Sequence, residues 1–410
     1  MTSKPSEPAG RIYCPDCGLA QRLAPLPPHS IAACGRCGAT LLRRVPSGIA
    51  LALALAVAAG LLLLPANLEP LLTVSFEGAE RQNLMATGMS ALWQSGFPLL
   101  GTLVGALTVA TPILWLAALI PVLTLLARGE RRPWLGRLFR YAEHLRRWSM
   151  SEVYLLGALV AYTRIQAVAG VEVALGGCAF IGFALLVLLI DRVLDRHAAW
   201  DAIGPGVAPG AEDGPVIDCL DCRLIASVSA AGGRCPRCGA LLHRRKPNSL
   251  QRTAAFALAA LLLYIPANVM PILRIVRFGS DDPATIFSGV RELIAADLWP
   301  LALLVFTASI LVPLLKLSGL TWFLIAIRLG ATRAVMVRTR FYRFIEGIGR
   351  WSNIDVFMLS ILTALVQFGA LTRVEAEPGA AAFAAVVVLT MLASQSFDPR
   401  LMWDRVGEAA

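Results

Sequence analysis

The chain of 410 residues is 57% hydrophobic and only 16% charged, with a mean hydropathy of +0.67. A soluble globular domain carries about 25% charged residues, so this composition excludes one and selects an integral membrane protein. The net charge of +10 then reads as membrane topology and affinity for anionic headgroups, not as nucleic-acid binding.

A hydrocarbon core of about 30 Å needs roughly 20 apolar residues in helix, because every backbone polar group must be satisfied internally. Eight segments are predicted to meet that need: 47–66, 97–126, 152–169, 171–191, 252–272, 298–328, 354–373 and 379–395. The first apolar run starts near Ile49, behind a polar, cysteine-bearing segment with no small-residue cleavage site after it. The N-terminus is therefore expected to be retained. Residues 128–148 hold seven Arg and residues 328–350 hold six; both loops are expected in the cytoplasm, with the termini and the 192–251 segment. The loops near 67–96 and 273–297 then face outward.

The chain repeats itself. Pro65, Asn67 and Pro70 recur as Pro266, Asn268 and Pro271, each 201 residues on. "RWSMSEV" (147–153) recurs as "RWSNIDV" (350–356), and Asp195, Trp200 and Asp201 recur as Asp398, Trp403 and Asp404, all 203 residues on. The expected fold is an α-helical membrane protein made of two tandem copies, each a four-cysteine ribbon followed by four transmembrane helices. An even number of spans per copy makes this a parallel repeat about an axis along the membrane normal. The expected boundaries are 1–46 and 197–251 for the ribbons (the latter with a linker), and 47–196 and 252–410 for the membrane units.

Eight cysteines form two sets, Cys14, Cys17, Cys34 and Cys37, then Cys219, Cys222, Cys235 and Cys238. The spacings are C-x2-C-x16-C-x2-C and C-x2-C-x12-C-x2-C. Paired knuckles of this kind aim four thiolates at one point and predict a closed, structural zinc site in each copy. A reducing cytoplasm disfavours disulfides, whereas a rubredoxin-like iron centre shares the all-sulfur shell. Cys178 reads as a small buried residue, and His29 and His243 as solvated.

Ser149 with Glu152, and Ser352 with Asp355, fit S-x-x-[DE]. Each acid is either a capping-box partner at a helix start or a proton or substrate contact. The basic loops ahead of them place Leu135, Leu138, Ala142 and Leu145, and Phe341, Phe344 or Ile345, and Ile348, at helical spacing, which predicts helices lying on the inner leaflet. Lys316 falls mid-span, where a lysine costs about 3 kcal/mol and faces a bundle interior or a wet cavity. A functional role and a structural pairing are equal readings there, and Trp115 stands at the matching position of the first copy. Arg164 is expected to snorkel. Pro65, Asn67, Pro266 and Asn268 mark either helix ends or kinked helices bordering a cleft.

Two ribbons, each followed by a four-span unit with Pro-Ala-Asn and "RWS(x)2(D/E)V", and a closing "SFDPRLMWD" (396–404) together resemble the paraquat-inducible protein A family over nearly the whole chain. The resemblance implies an inner-membrane protein of a Gram-negative bacterium that helps move phospholipids across the envelope. Its implied partner is a periplasmic MCE-domain tunnel protein on a separate chain. The first copy reads "LIDRVLDRHAAWD" (189–201) in place of the closing motif, so any role specific to that motif is expected in the second. With no P-loop and no nucleophile–base pairing in the sequence, a transport component is expected and not an enzyme. A membrane redox protein with iron in the ribbons and a passive anchor for the tunnel are the competing readings.

Overall fold

The computed structural model describes residues 11–408 apart from 25, 47, 77–78, 167–168, 209–214, 278–279 and 368–371. The first ribbon consists of β1 (Arg11–Tyr13), β2 (Ala20–Arg22), β3 (Ile31–Ala33) and β4 (Thr40–Arg43). The first helical unit follows with α1 (Gly48–Leu68), β5 (Leu72–Phe76), β6 (Ala79–Asn83), α2 (Thr87–Gln94), α3 (Pro98–Gly105) and α4 (Thr111–Ala127). It continues with α5 (Leu135–Trp148), α6 (Ser151–Gln166), β7 (Gly170–Val173), α7 (Leu175–Val193) and α8 (Arg196–Ile203). The second ribbon has β8 (Val216–Asp218) and β9 (Ile225–Ser227). The second unit repeats the first as α9 (Ser249–Val269), β10 (Leu273–Arg277), β11 (Ser280–Ala284), α10 (Ile286–Ala295), α11 (Trp299–Phe306) and α12 (Val312–Arg328). Then come α13 (Val335–Ile348), α14 (Ile354–Leu365), β12 (Thr372–Ala376), α15 (Pro378–Ser396) and α16 (Leu401–Glu408).

The packing follows from where the small residues fall. On α1, Ala52, Ala56, Ala59 and Ala66 are buried, and on α9 Thr253, Ala257, Ala260 and Ala267 take the matching positions 201 residues on. These stripes let α7 lie along α1, and α15 along α9, the close approach that membrane helices achieve through small side chains. Side chains are excluded at the start of both partners. A Cβ on Gly176 would fall 2.3 Å from the Glu69 carbonyl oxygen, and one on Gly379 2.4 Å from that of Pro271.

Among the described residues, six helices are long and apolar enough to cross a membrane: Gly48–Leu68, Pro98–Ala127, Leu175–Val193, Ser249–Val269, Trp299–Arg328 and Pro378–Asp404. The two 30-residue members each contain a π-helical turn, at Ala106–Ala110 and Thr307–Leu311, just ahead of Pro112 and Pro313. Proline lacks the amide that would bond the preceding turn, and a widened turn at this point absorbs the mismatch.

The other two expected spans, 152–169 and 354–373, are shorter than predicted. α6 has 16 residues and α14 has 12, lengths of about 24 and 18 Å at 1.5 Å per residue. α14 needs no lipid-facing length, because it is the centre of the bundle: every one of its residues except Ala364 is buried. α6 packs on it with one face, burying Val153, Tyr154, Gly157, Val160 and Ala161, and exposes Leu159 on the other. At the ends of both helices the chain enters strands where spans are expected: β7 takes up the start of the expected span 171–191, and β12 begins within the end of 354–373. β7 pairs with β5, and β12 with β10, completing antiparallel sheets in the orders β6-β5-β7 and β11-β10-β12. These sheets cap the bundle opposite the ribbons.

The two copies meet at matching residues. Asn353 Nδ2 donates to Met150 Sδ at 3.1 Å, and the rings of Tyr154 and Phe357 lie 5.5 Å apart. Both pairs are 203 residues apart in the chain, so the axis of the repeat passes between them. The loop helices α5 and α13 are not free on a leaflet. Leu135, Ala142 and Ile345 are buried, and the apolar face of α5 packs on α4 while α13 packs on α12. Phe344 alone of the named loop residues is an exposed large apolar side chain. Cys178, expected to be buried, is exposed on α7.

Candidate functional site

Each cysteine set is held by two knuckles in which the residue after the second cysteine turns back. Gly18, Gly38 and Gly239 sit at φ near 70°, and Arg223 fills the fourth such position at φ 57°. Each donates its amide to the first cysteine's carbonyl at 2.8–2.9 Å. The four Sγ atoms of each set are buried and lie within 4.8 Å of one another. Pairs such as Cys14–Cys37 and Cys219–Cys238 stand 3.5 and 3.6 Å apart. Ligands on a tetrahedral metal at about 2.3 Å would be about 3.8 Å apart, so both sets fit a metal ion with no position left open. Cys34 Sγ also accepts from Gln21 Nε2 at 3.0 Å. Beside the second set, a hydrogen bond from His144, 3.2 Å away, holds the Asp221 carboxyl below its ordinary range.

Inside the bundle the two copies differ in how they place charge. In the first, Arg146 at the end of α5 is 4% exposed and bonds Asp191 Oδ2 at 2.6 Å and Glu152 Oε1 at 3.0 Å. It also donates to the Ser149 carbonyl at 2.8 Å and stands over the Trp115 ring at 5.4 Å. Arg350 of the second copy reaches the same Glu152 oxygen at 3.2 Å. Glu152 is thus an ion-pair partner, and the capping-box reading fails for both copies: Ser149 Oγ and Ser352 Oγ make no hydrogen bond.

In the second copy, Lys316 and Gly349 occupy the positions of Trp115 and Arg146. The cation has moved to the facing helix. Lys316 is fully buried, and its Nζ donates to the Gly349 carbonyl at 2.7 Å and approaches Thr390 Oγ1 at 3.5 Å. Ser394 stands where the first copy has Asp191, and among the described residues no carboxylate lies within ion-pair distance of Lys316. Asp355, the counterpart of Glu152, accepts a hydrogen bond from Ser309, which sits in the π turn, while its Oδ1 is buried without a partner.

The seams between the copies also differ. α14 packs tightly on α2, where a Cβ on Gly88 would fall 2.4 Å from Ser360 Oγ. The matching seam, between α6 and α10, is parted by Arg164, whose Nη2 reaches the Gly289 carbonyl at 3.4 Å. It encloses a cavity of about 10 Å³ lined by Arg164, Asp355, Thr285, Ile286, Val305 and Met358 among others, room for a single water. Arg164 therefore turns inward and does not snorkel. Its Nε, like Asp355 Oδ1, is buried without a hydrogen bond.

The remaining expected residues end their helices. Asn67 Nδ2 donates to the Leu63 carbonyl and Asn268 Nδ2 to that of Tyr264, both at 2.8 Å, with Pro65 and Pro266 in the same last turns. The structure does not join them to Lys316. Arg146, Asp191, Ser309 and Thr390 escaped sequence reading. The detectable signal was the paired exchange of Trp115 and Arg146 for Lys316 and Gly349 between aligned copies.

The family model for paraquat-inducible protein A matches residues 49–204 and 250–407. The chain is 33% identical to the intermembrane transport protein PqiA of Escherichia coli K12, over 98% of this chain and 97% of that protein. It is 30% identical to the lipophilic envelope-spanning tunnel protein A of the same organism, over 95% and 90% of the two chains. A probable intermembrane transport protein of Haemophilus influenzae is 27% identical over 84% of this chain and 83% of its own length. No solved structure shows a significant match.

Proposed function

Because the chain belongs to the paraquat-inducible protein A family, we propose that it is an inner-membrane component of an envelope lipid-transport system, and a carrier, not an enzyme. It loads or unloads phospholipid-like molecules for a periplasmic MCE-domain tunnel protein on a separate chain. The names of the relatives, which are transport and tunnel proteins, support that class. The seven Arg of 128–148 and six of 328–350 favour a cytoplasmic ribbon end and a periplasmic sheet end. α6 and α14 then complete eight passes, α14 buried in the centre of the bundle and α6 with one face packed on it.

The observation that carries the reading is the asymmetry of the copies. The first neutralises its buried cation with two acids and closes its seam. The second leaves Lys316 without an acid and Asp355 half-partnered, with a parted seam beside Asp355. A bundle built only to anchor a partner gains nothing from an unpaired buried lysine, whereas a carrier that alternates between states has a use for groups whose partners change. Lys316, Asp355, Ser309 and Thr390 are the proposed coupling site. Pro65, Asn67, Pro266 and Asn268 shape the sheet end, where cargo would pass to the partner, and Glu152 braces the first copy. The test is photocrosslinking with probes at Ile286 and Val305, in the parted seam, and at Leu61 and Leu262 on the lipid face, followed by detergent exchange. Phospholipid is expected to remain attached at 286 and 305 above the level at 61 and 262. Equal labelling would remove the seam as a lipid route and leave the anchoring reading.

The four-thiolate shells are closed, as structural zinc requires, and we assign zinc to both. Metal analysis should return two zinc ions per chain in a colourless protein. Visible absorption with matching iron would replace this assignment by a redox centre.

A further inference from the structure

The unit that repeats along the chain is a ribbon followed by helices, but the unit that packs is different. The first ribbon docks on the second helical unit. Asp16 Oδ2 lies 3.2 Å from Arg343 Nε on α13, Arg343 Nη2 donates to the carbonyl of the metal-set residue Cys37, and the Arg36 guanidinium stands over the Trp403 ring of α16 at 4.2 Å. The second ribbon docks on the first unit through Arg237, the counterpart of Arg36, while its Asp218 also pairs with Arg400 of the second unit at 2.8 Å and its Arg223 donates to the Leu41 carbonyl of the first ribbon at 3.0 Å. Arg237 stands over Trp200 of α8 at 5.6 Å, donates to its carbonyl at 2.9 Å and pairs with Asp201 at 2.9 Å. Asp221 meets His144 of α5, and Gly136 of α5 lies so close to the Arg237 carbonyl that a Cβ would be 1.8 Å from it. Arg36 and Arg237 match across the repeat, as do Trp403 and Trp200.

Each docked helix ends at a buried cation. Arg343 on α13 stands six residues before Gly349, the residue that follows the helix, about 9 Å along a helix axis, and the Gly349 carbonyl holds Lys316. α5 ends in Arg146, whose network closes the first unit. We infer that metal control is crossed: the N-terminal cysteine set fixes α13 and hence the Lys316 site of the second unit, and the second set fixes α5 and the Arg146 network of the first. Arg343 is the positioning residue of the first link. The geometry stands by itself, while the consequence for transport rests on the reading of Lys316 given above. Loss of metal from one set would therefore loosen chiefly the polar centre at the end of the helix on which that set docks.

Hydrogen exchange on the full chain in lipid nanodiscs tests this without any lipid assay. The double variants C34S/C37S and C235S/C238S are compared with the parent, with zinc content measured in each. Loss of the first set is expected to raise exchange at least tenfold in 335–349 and leave 135–148 within twofold, and loss of the second to do the reverse. R343A, which leaves all eight cysteine thiols in place, is expected to keep both metals and still raise exchange in 335–349. A response in 135–148 to loss of the first set, equal responses in both helices, or a metal-loaded R343A with parental exchange would each overturn the crossed scheme. Failure of the lipid reading alone would leave these exchange patterns unchanged.

Discussion

Replacing Lys316 by methionine is expected to abolish lipid capture at the parted seam without lowering the stability of the protein. The side chain is fully buried, and its ammonium has one short bond, to the Gly349 carbonyl at 2.7 Å, with Thr390 Oγ1 at 3.5 Å. A lysine at mid-membrane costs about 3 kcal/mol on insertion scales, and two weak neutral acceptors do not repay a buried ammonium. Methionine keeps a long flexible apolar stem in the same space. It leaves behind only a helix-end carbonyl, a group able to accept from nearby donors. The thermal midpoint of K316M should therefore equal or exceed that of the parent, while phospholipid crosslinked at Val305 falls at least tenfold. A parental crosslinking yield would show that Lys316 is packing. A lower midpoint together with lost crosslinking would show a structural role instead.

Much of the fold was legible because it was written twice. The cysteine spacing led directly to the knuckles, and the Pro-Ala-Asn elements marked the ends of α1 and α9, since a proline and an amide that bonds back four residues are local features. Hydropathy found the six full-length helices for the same reason: lipid exposure constrains each residue by itself. It overstated α14, because a central buried helix is as apolar as a spanning one while obeying no length rule, and it ran α6 on past Gln166, where the chain leaves the helix for β7. The S-x-x-[DE] pattern misled where long-range partners outbid the local cap. Glu152 lies six residues from Arg146 but Arg350 reaches it from the other copy, and no spacing reveals that. The sequence showed Lys316 as unmatched by Trp115. The alignment of the copies also set Gly349 against Arg146, but it did not show that those positions meet Lys316 and Trp115, because the crossing of α4 with α5, and of α12 with the turn after α13, brings them together only in three dimensions.

The first copy should behave in the opposite way when its cation is removed. Arg146→Met leaves Glu152 and Asp191, 10% and 27% exposed, facing each other across the volume the guanidinium filled. Breaking a buried pair by deleting one partner costs about 3–5 kcal/mol, because the remaining charge is uncompensated. Arg350 at 3.2 Å from Glu152 and Arg196 at 3.0 Å from Asp191 recover part of that, so the lower end is expected. The thermal midpoint of R146M should fall well below that of K316M, and the triple variant with E152Q and D191N should regain most of the loss. If R146M and K316M unfold alike, the acids do not brace the first copy, and the division between a closed copy and a responsive one fails with them. If they differ as expected, one duplicated scaffold has divided its labour by moving a single buried cation from the end of one helix to the middle of its neighbour.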